Sequence, residues 1–264
     1  MPLTLQELSE KYNISPSSIT SNFTRTKETI AKKYGVTIEK IGRGQSAVYQ
    51  IVNFAKTDPK RAVTLYQSTE KNPIPVEMAT SLSGLNFITF LGIIFSPQRV
   101  FRGSISDMLK YLEVKPTPES IAAMREILHD LNEQDYIMYM EDRSDPNYFM
   151  AGVLHKTETD LEVELGLLTG IKQLVEENKK TSWVSFFKTF LAVNVLDSPI
   201  TISQIAEMTG LSEYKARECL KFFADKNLLL KSKNCSYNPI TKEIKCHGQD
   251  IDLNAIKIAE LSKN

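Results

Sequence analysis

A short segment near the start of the chain concentrates small polar side chains and one guanidinium group. It contains Ser17, Ser18, Thr20, Ser21, Asn22 and Arg25. Hydroxyl, amide and guanidinium groups bond with the N7 and O6 atoms of bases and with phosphate oxygens, and short side chains let a backbone approach base edges. No acidic residue lies between positions 17 and 25. This combination favours contact with double-stranded DNA.

Basic and amide groups continue beyond this segment. Lys27 follows it, and Arg43 and Gln45 lie at a glycine-bearing turn between two runs of strand-forming residues, 37–41 and 47–52. Runs of this kind around such a turn predict a β-hairpin. We therefore expect a hairpin with a basic tip that adds to the polar segment.

Local signals place the polar segment on a helix. A capping box at 4–7 predicts a first helix, and Ser15 with the proline after it predicts the start of a second. Ile19 and Phe23, four residues apart, form the inward stripe of this second helix, which leaves the polar side chains outward. The pattern leaves open whether residues 16–34 form one helix or two.

The middle of the chain repeats this layout with the opposite charge. We predict an apolar helix over 80–95, a short helix capped by Ser104, a helix starting at Thr117-Pro118, and a hairpin of 136–141 with 148–154. Residues 81–160 contain 7 basic and 12 acidic residues, net −5. Carboxylates repel phosphate. We therefore expect this part to bind a protein partner or a second copy of the chain.

The last third has a third pattern of the same kind. We predict a buried helix around Trp183, a helix with a capping box at 201–204, a helix capped by Ser212, and strands 228–232 and 243–247 around the turn 236–241. Acidic and basic residues alternate on the outer face of the Ser212 helix. A secondary DNA contact there would use Lys215, Arg217, Lys221, Lys231 and Lys233.

The arrangement of two helices joined by a turn and followed by a hairpin resembles the winged helix–turn–helix proteins of bacteria, phages and plasmids. The resemblance is carried by TLQELSEKYNISPSSITSNF, SISDMLKYLEVKPTPESIAAM and TISQIAEMTGLSEYKARECLKFF. It implies a mainly α fold with small β-hairpin wings, built from tandem winged helix–turn–helix domains. We expect an N-terminal winged helix over 1–56, a connector over 57–79, an acidic central domain over 80–160 and a C-terminal winged helix over 161–264. It also implies that Arg43, at the wing tip, contacts a minor groove or a phosphate.

Enzymatic and cofactor chemistry lack sequence support. The chain has no phosphate-binding glycine loop and no nucleophile motif, so we expect no catalytic residue and no cofactor. Cys235, Cys246 and His247 lack the spacing of a zinc site, so ordinary wing residues are the preferred interpretation. Three cysteines in 264 residues, the absence of an apolar run of about 18 residues and the polar N-terminus predict a cytoplasmic protein without a membrane segment.

The predicted function is sequence-specific binding of double-stranded DNA by a homodimer that represses transcription. We expect a dimer because paired half-sites increase affinity and specificity. One alternative is a plasmid or phage replication initiator or segregation protein that binds DNA repeats with both its N- and C-terminal winged helices. A second alternative is an interaction scaffold that does not bind nucleic acid.

Overall fold

The computed structural model describes residues 4–54, 62–68, 71–153, 160–179, 182–196, 200–226, 235–238 and 243–246. About 60% of the described residues are helical, and the strands form a few small antiparallel sheets. The predicted mainly α composition with small sheets is confirmed. Among the helices in these ranges, none combines the length and apolar character needed to cross a bilayer.

Ten α-helices and nine strands are present in the described residues. The helices are α1 (Leu5–Tyr12), α2 (Pro16–Tyr34), α3 (Val76–Ser81), α4 (Gly84–Ile94), α5 (Ile105–Tyr111), α6 (Pro118–Glu133), α7 (Leu165–Lys179), α8 (Val184–Val195), α9 (Ile202–Thr209) and α10 (Glu213–Asp225). The strands are β1 (Val36–Ile41), β2 (Val48–Phe54), β3 (Lys71–Pro75), β4 (Val100–Ser104), β5 (Met138–Glu141), β6 (Tyr148–Gly152), β7 (Asp160–Glu164), β8 (Cys235–Asn238) and β9 (Glu243–Cys246).

The strands pair in four separate sheets. β1 pairs with β2, β3 with β7 and β8 with β9, each antiparallel, and β4, β6 and β5 form a three-stranded sheet in that order. The chain divides into two compact units. The first contains Met1–Pro59, Arg102–Ser104 and Met140–Met150, and the second contains the remaining residues. The domain boundaries expected after residues 56, 79 and 160 stay a prediction.

The second unit has an aromatic core around α8. The ring of Phe187 lies 6.2 Å from that of Phe87 on α4 and 6.1 Å from that of Trp183, which precedes α8. On the other side of α8, Phe186 contacts the rings of Phe222 and Phe223 of α10. Burying aromatic rings of this size is a large source of stabilisation. The predicted buried helix around Trp183 is confirmed, and it forms the centre of this core.

One prediction for the segment before residue 95 is wrong. The predicted helix over 80–95 is two helices, because Leu82 has an extended backbone and Gly84 has a φ of 52°, which breaks the helical path. The stretch expected to be a connector, 57–79, stays a prediction, and its described part contains β3, which pairs with β7 from a distant part of the chain. A local pattern does not reveal such a pairing, and prolines inside β3 obscure it further.

The C-terminal hairpin is shifted relative to its prediction. The predicted strand 228–232 lies outside the described residues, and β8 occupies Cys235–Asn238, part of the predicted turn 236–241. The strand ends directly before Pro239, where a proline cannot donate to the ladder. The second predicted strand is confirmed over 243–246.

Candidate nucleic-acid interface

A polar turn and two caps set the position of α2. Asn13 adopts the left-handed conformation with a φ of 51° and ends α1. The Ser15 hydroxyl accepts from the Ser18 backbone N–H at 3.2 Å, and Pro16 is the first helical residue. Gly35, with a φ of 57°, ends the helix. Residues 16–34 therefore form one uninterrupted helix, which answers the question that the sequence leaves open.

The inward stripe of α2 is narrow. Ile19 and Phe23 are half-buried, and the Phe23 ring lies 4.1 Å from the Tyr49 ring of β2. Among the α2 side chains that the structure describes, none is fully buried. Most of the surface of this helix is therefore left for solvent or for a partner.

The predicted polar segment lies on the outer surface of α2. Exposed side chains there are Ser17, Ser18, Ser21, Asn22, Arg25 and Lys27. Thr20 differs, because it is half-buried and its hydroxyl donates to the Pro16 carbonyl at 2.9 Å. With about 100° between successive helical residues, Ser18, Asn22 and Arg25 lie along one line of the helix.

The side chains in the middle of this face are available to a partner. Within the described part of the chain, the side chains of Ser21, Asn22 and Arg25 make no hydrogen bond to protein groups. Ser18 is different, since its hydroxyl accepts from that of Ser15 at 2.8 Å. It keeps its own proton for donation. The face therefore offers hydroxyl, amide and guanidinium donors that are not already bonded to groups in the described ranges.

Charge and helix dipole favour an anionic partner at this face. α2 contains four basic residues and one acidic residue, Glu28. Ser17 and Ser18 lie in the first turn of the helix, where the macrodipole places partial positive charge. Glu7 and Glu10 of α1 are the nearest carboxylates before α2 in sequence. Glu7 accepts from the Thr4 backbone N–H at 2.6 Å, and this bond lowers the pKa of Glu7. Glu10 accepts from the Gln6 side-chain amide at 3.1 Å.

The hairpin tip is tied to α1. The Leu5 backbone N–H donates to the Ala47 carbonyl at 3.0 Å, and Thr4 forms a β-bridge with Val48. Ala47 is fully buried. These bonds anchor the base of the tip and leave its outer residues in solvent.

The tip itself presents one guanidinium group. Arg43 is exposed between Gly42 and Gly44, whose φ values are 90° and 66°. The Ser46 hydroxyl donates to the Arg43 carbonyl at 3.1 Å and holds the turn. Gln45 lies in the same turn, and its side chain is outside the described part. The structure thus places Arg43 in the position that the sequence predicts for it, at the end of the β1–β2 hairpin.

The acidic residues of the chain centre are mostly engaged in local structure. The Asp142 and Asp145 carboxylates accept from the backbone N–H groups of Ser144 and Asn147, at 2.8 and 3.0 Å. On α6, a hydrogen bond from its own backbone N–H, supported by the Thr117 hydroxyl, lowers the pKa of exposed Glu119. Negative charge at these positions opposes contact with phosphate.

The C-terminal candidates are less available. Lys215 is half-buried, its Nζ lies 2.9 Å from the Glu218 carboxylate, and it also lies 5.3 Å from the centre of the Phe186 ring. Arg217 and Lys221 are exposed on α10. Lys231 and Lys233 lie outside the described residues. The structure therefore brings only two of these five side chains to a described outer surface, and it commits Lys215 to an internal ion pair.

Three residues stand out in the structure that the sequence analysis did not single out. Tyr214 is 76% exposed, next to Arg217 on α10. The Tyr49 hydroxyl is buried without a hydrogen-bond partner in the described residues. Lys188 is 4% exposed, and its Nζ donates to the Leu82 carbonyl at 2.9 Å. The position of Lys188 inside the apolar run of α8 could have indicated a buried lysine from the sequence. The exposure of Tyr214 and the burial of the Tyr49 hydroxyl depend on tertiary packing.

Known proteins give no further guide. Comparison of the chain with models of protein families, with curated proteins and with solved structures found no match. In the part of the chain that the structure describes, no group of three histidine, cysteine or acidic side chains could hold a metal ion.

Proposed function

We propose that the chain is a sequence-specific double-stranded-DNA-binding protein of tandem winged-helix type, acting in the cytoplasm as a dimeric transcriptional repressor. The observation that supports this proposal most directly is the outer face of α2. It presents Ser18, Asn22 and Arg25 along one line, and the side chains of Asn22 and Arg25 make no hydrogen bond to the residues that the structure describes. The role is non-enzymatic, since occupancy of an operator is enough for repression.

The dimensions of α2 suit this role. An α-helix with side chains is about 10–12 Å across, and the major groove of B-DNA is about 12 Å wide. The 19 residues of α2 extend over about 28 Å at 1.5 Å per residue. Arg25 would bind a guanine edge and Asn22 an adenine edge, the pairings these side chains favour. Arg43 on the hairpin would bind phosphate or a minor groove.

The proposed dimer places two copies of α2 on two half-sites. The acidic centre of the chain is the proposed surface for the second copy or for a protein partner, because its carboxylates would be repelled by DNA. Half-sites one helical turn apart would give a near-palindromic operator of spacing about 34–36 Å.

The experiment that tests the proposal begins with selection of fragments from the host genome that bind the full-length chain. Affinity for the selected fragment is then measured across salt concentrations for the wild type, Arg25→Ala and Arg143→Ala. Arg143 is an exposed arginine of the same compact unit, so it controls for the loss of one charge. We expect Arg25→Ala to weaken binding by about 1–3 kcal/mol and to relax selectivity at one base pair.

Two results would contradict the proposal. One is an affinity that does not fall as salt rises, since phosphate contacts release counterions. The other is equal loss for Arg25→Ala and Arg143→Ala. Failure to select any fragment would favour the interaction scaffold, and this outcome is checked by capture of protein partners with the same preparation.

The second candidate function, a replication initiator or segregation protein, is favoured by one feature of the C-terminal part. α8, α9 and α10 precede the β8–β9 hairpin, the element order of a complete winged helix, and α10 exposes Arg217 and Lys221. An initiator of this type would bind DNA with both ends of the chain. Arg217→Ala with Lys221→Ala would then cost as much affinity as Arg25→Ala, whereas in the repressor this double variant has little effect.

A further inference from the structure

The two strands of the C-terminal hairpin bring two cysteines into direct register. In the antiparallel pair of β8 and β9, Cys235 is opposite Cys246, and the register continues to Asn238 opposite Glu243. The cysteine pair is the last pair at the open end of this short ladder, away from the turn. Sequence spacing alone, eleven positions apart, did not suggest a bond between them.

Direct register has a defined geometric meaning. Residues that oppose each other in an antiparallel ladder lie on the same face of the sheet, with Cα atoms about 4.5–5.5 Å apart. Disulfides span Cα separations of about 4.4–6.8 Å. The backbone register therefore places these two positions within the Cα separation that disulfides span.

We propose that Cys235 and Cys246 form a reversible intramolecular disulfide by exchange with a low-molecular-weight disulfide of the glutathione type. The thiolate of one cysteine attacks the small disulfide, forms a mixed disulfide and releases one small thiol. The thiolate of the other cysteine then attacks the protein sulfur of the mixed disulfide and releases the second small thiol. Two electrons pass from the protein to the small disulfide, and the two protein thiols are replaced by one S–S bond.

The bond would close a ring of residues 235–246 and lock the hairpin. The third cysteine does not compete for this exchange, because Cys219 is fully buried on α10. A pair of this kind is a dithiol in a reducing compartment and closes when the surroundings become more oxidising. The proposed disulfide does not depend on whether the chain binds DNA, because it rests only on the register of β8 and β9.

The experiment equilibrates the full-length chain in buffers of rising ratio of oxidised to reduced glutathione, followed by acid quenching and alkylation. Thiols counted under denaturing conditions should fall from three to one per chain. Tryptic digestion without reduction should give peptide 234–242 linked to peptide 246–257, and the link should disappear on reduction. Cys219→Ser should keep the linked peptides, whereas Cys235→Ser and Cys246→Ser should each lose them.

Three results would overturn the proposal. The first is stable glutathione adducts on both cysteines without a link between them. The second is linked peptides found only in covalent dimers, which non-reducing gels separate from monomers. The third is a link that includes Cys219. Because the wild-type digest decides among these results, the proposal stays falsifiable even if a serine variant does not fold.

Discussion

α2 and α10 begin in the same way and are used differently. Each follows a shorter helix with a capping box and starts at a serine whose hydroxyl accepts from a backbone N–H, Ser15 in one case and Ser212 in the other. α10 then buries five side chains, among them Phe222 and Phe223, against the aromatic core. α2 buries none of its described side chains. The same kind of capped helix thus contributes to a core in α10, whereas in α2 its described side chains stay exposed or half-buried.

The difference indicates that α2 offers a partner more free surface than α10 does. A helix whose stability comes from packing has little free surface and little freedom to change its contacts. α10 also commits Lys215 to Glu218 and to the Phe186 ring. The polar face of α2 has no comparable internal commitment at Ser21, Asn22 and Arg25 in the described residues. Four comparisons between variants, taken from the largest expected effect to the smallest, test this contrast.

The largest effect is expected from truncation of the α8–α10 contact. Phe186→Ala removes a fully buried ring, and loss of a buried aromatic costs about 3–5 kcal/mol in the free energy of unfolding. Phe23→Ala removes a half-buried ring of α2 and should cost about 1 kcal/mol. Trp183, the single tryptophan, reports the core of the second unit by fluorescence during denaturant unfolding, and far-UV circular dichroism reports the whole chain. A cost for Phe23→Ala equal to that for Phe186→Ala would show that α2 is as tightly packed as α10.

This contrast also shows which features could be read from the sequence. Caps depend on residues within one turn, so Thr4 with Glu7, Ser15, Thr201 with Gln204, and Ser212 were predicted and are confirmed. The β3–β7 pairing joins residues almost ninety positions apart, and no local pattern contains it. The split between α3 and α4 is not predicted because Leu82 and Leu85, three residues apart, fit one helical face, although Ser83 and Gly84 lie between them.

The residues of the candidate site also differ in whether local sequence predicts them. The outward position of Ser18, Asn22 and Arg25 follows from helical periodicity, since Ile19 and Phe23 mark the inward face. The engagement of Lys215 could not be predicted, because it requires the Phe186 ring of another helix beside α10. Whether a polar side chain is free depends on such tertiary neighbours, and a sequence pattern gives only the face.

The next largest effect is expected in the pH dependence of the free energy of unfolding, which should depend on buried Lys188 and not on exposed Lys27. Burial lowers the pKa of Lys188 from its ordinary value of 10.5 to about 8. Between these values the unfolded chain binds more protons than the folded chain, so folding stability rises with pH in this window. Compared with Lys188→Met, the wild type should gain about 2–3 kcal/mol of unfolding free energy from pH 8 to pH 10.5. Denaturant unfolding at a series of pH values measures this difference.

Lys27→Met is the matched control for this prediction. Lys27 is exposed on α2, so its removal should leave the slope of stability against pH within this window unchanged. A wild-type slope that persists in Lys188→Met would assign the pH dependence to other groups and would contradict the role of this lysine.

A smaller effect tests the absence of acidic residues between positions 17 and 25 of α2. Asn22→Asp changes the side chain by one charge at nearly constant shape, and it places a carboxylate within residues 17–25, which have none in the wild type. We expect affinity for the selected DNA to fall by about 1–3 kcal/mol, through loss of a base contact and repulsion of phosphate. Binding titrations with the wild type, Asn22→Asp and Asn53→Asp measure it. Asn53 is an exposed asparagine of β2, and a loss of the same size in Asn53→Asp would reduce the effect to net charge.

The smallest effect compares the two serine caps. Ser15→Ala and Ser212→Ala each remove a hydroxyl that accepts from a backbone N–H at 3.2 Å, a change that costs about 1 kcal/mol. In α10 the aromatic core holds the first turn, so the cost should appear only in global unfolding. In α2 no described side chain is buried, so the first turn should fray locally.

Hydrogen exchange of the backbone amides should therefore rise at 17–20 in Ser15→Ala and stay unchanged at 214–217 in Ser212→Ala. DNA affinity should fall in the first variant alone, because Ser17 and Ser18 lie in the frayed turn. Equal exchange at both helix starts would mean that the outer face of α2 is held as firmly as α10, and the contrast between the two helices would then lie in charge and not in packing.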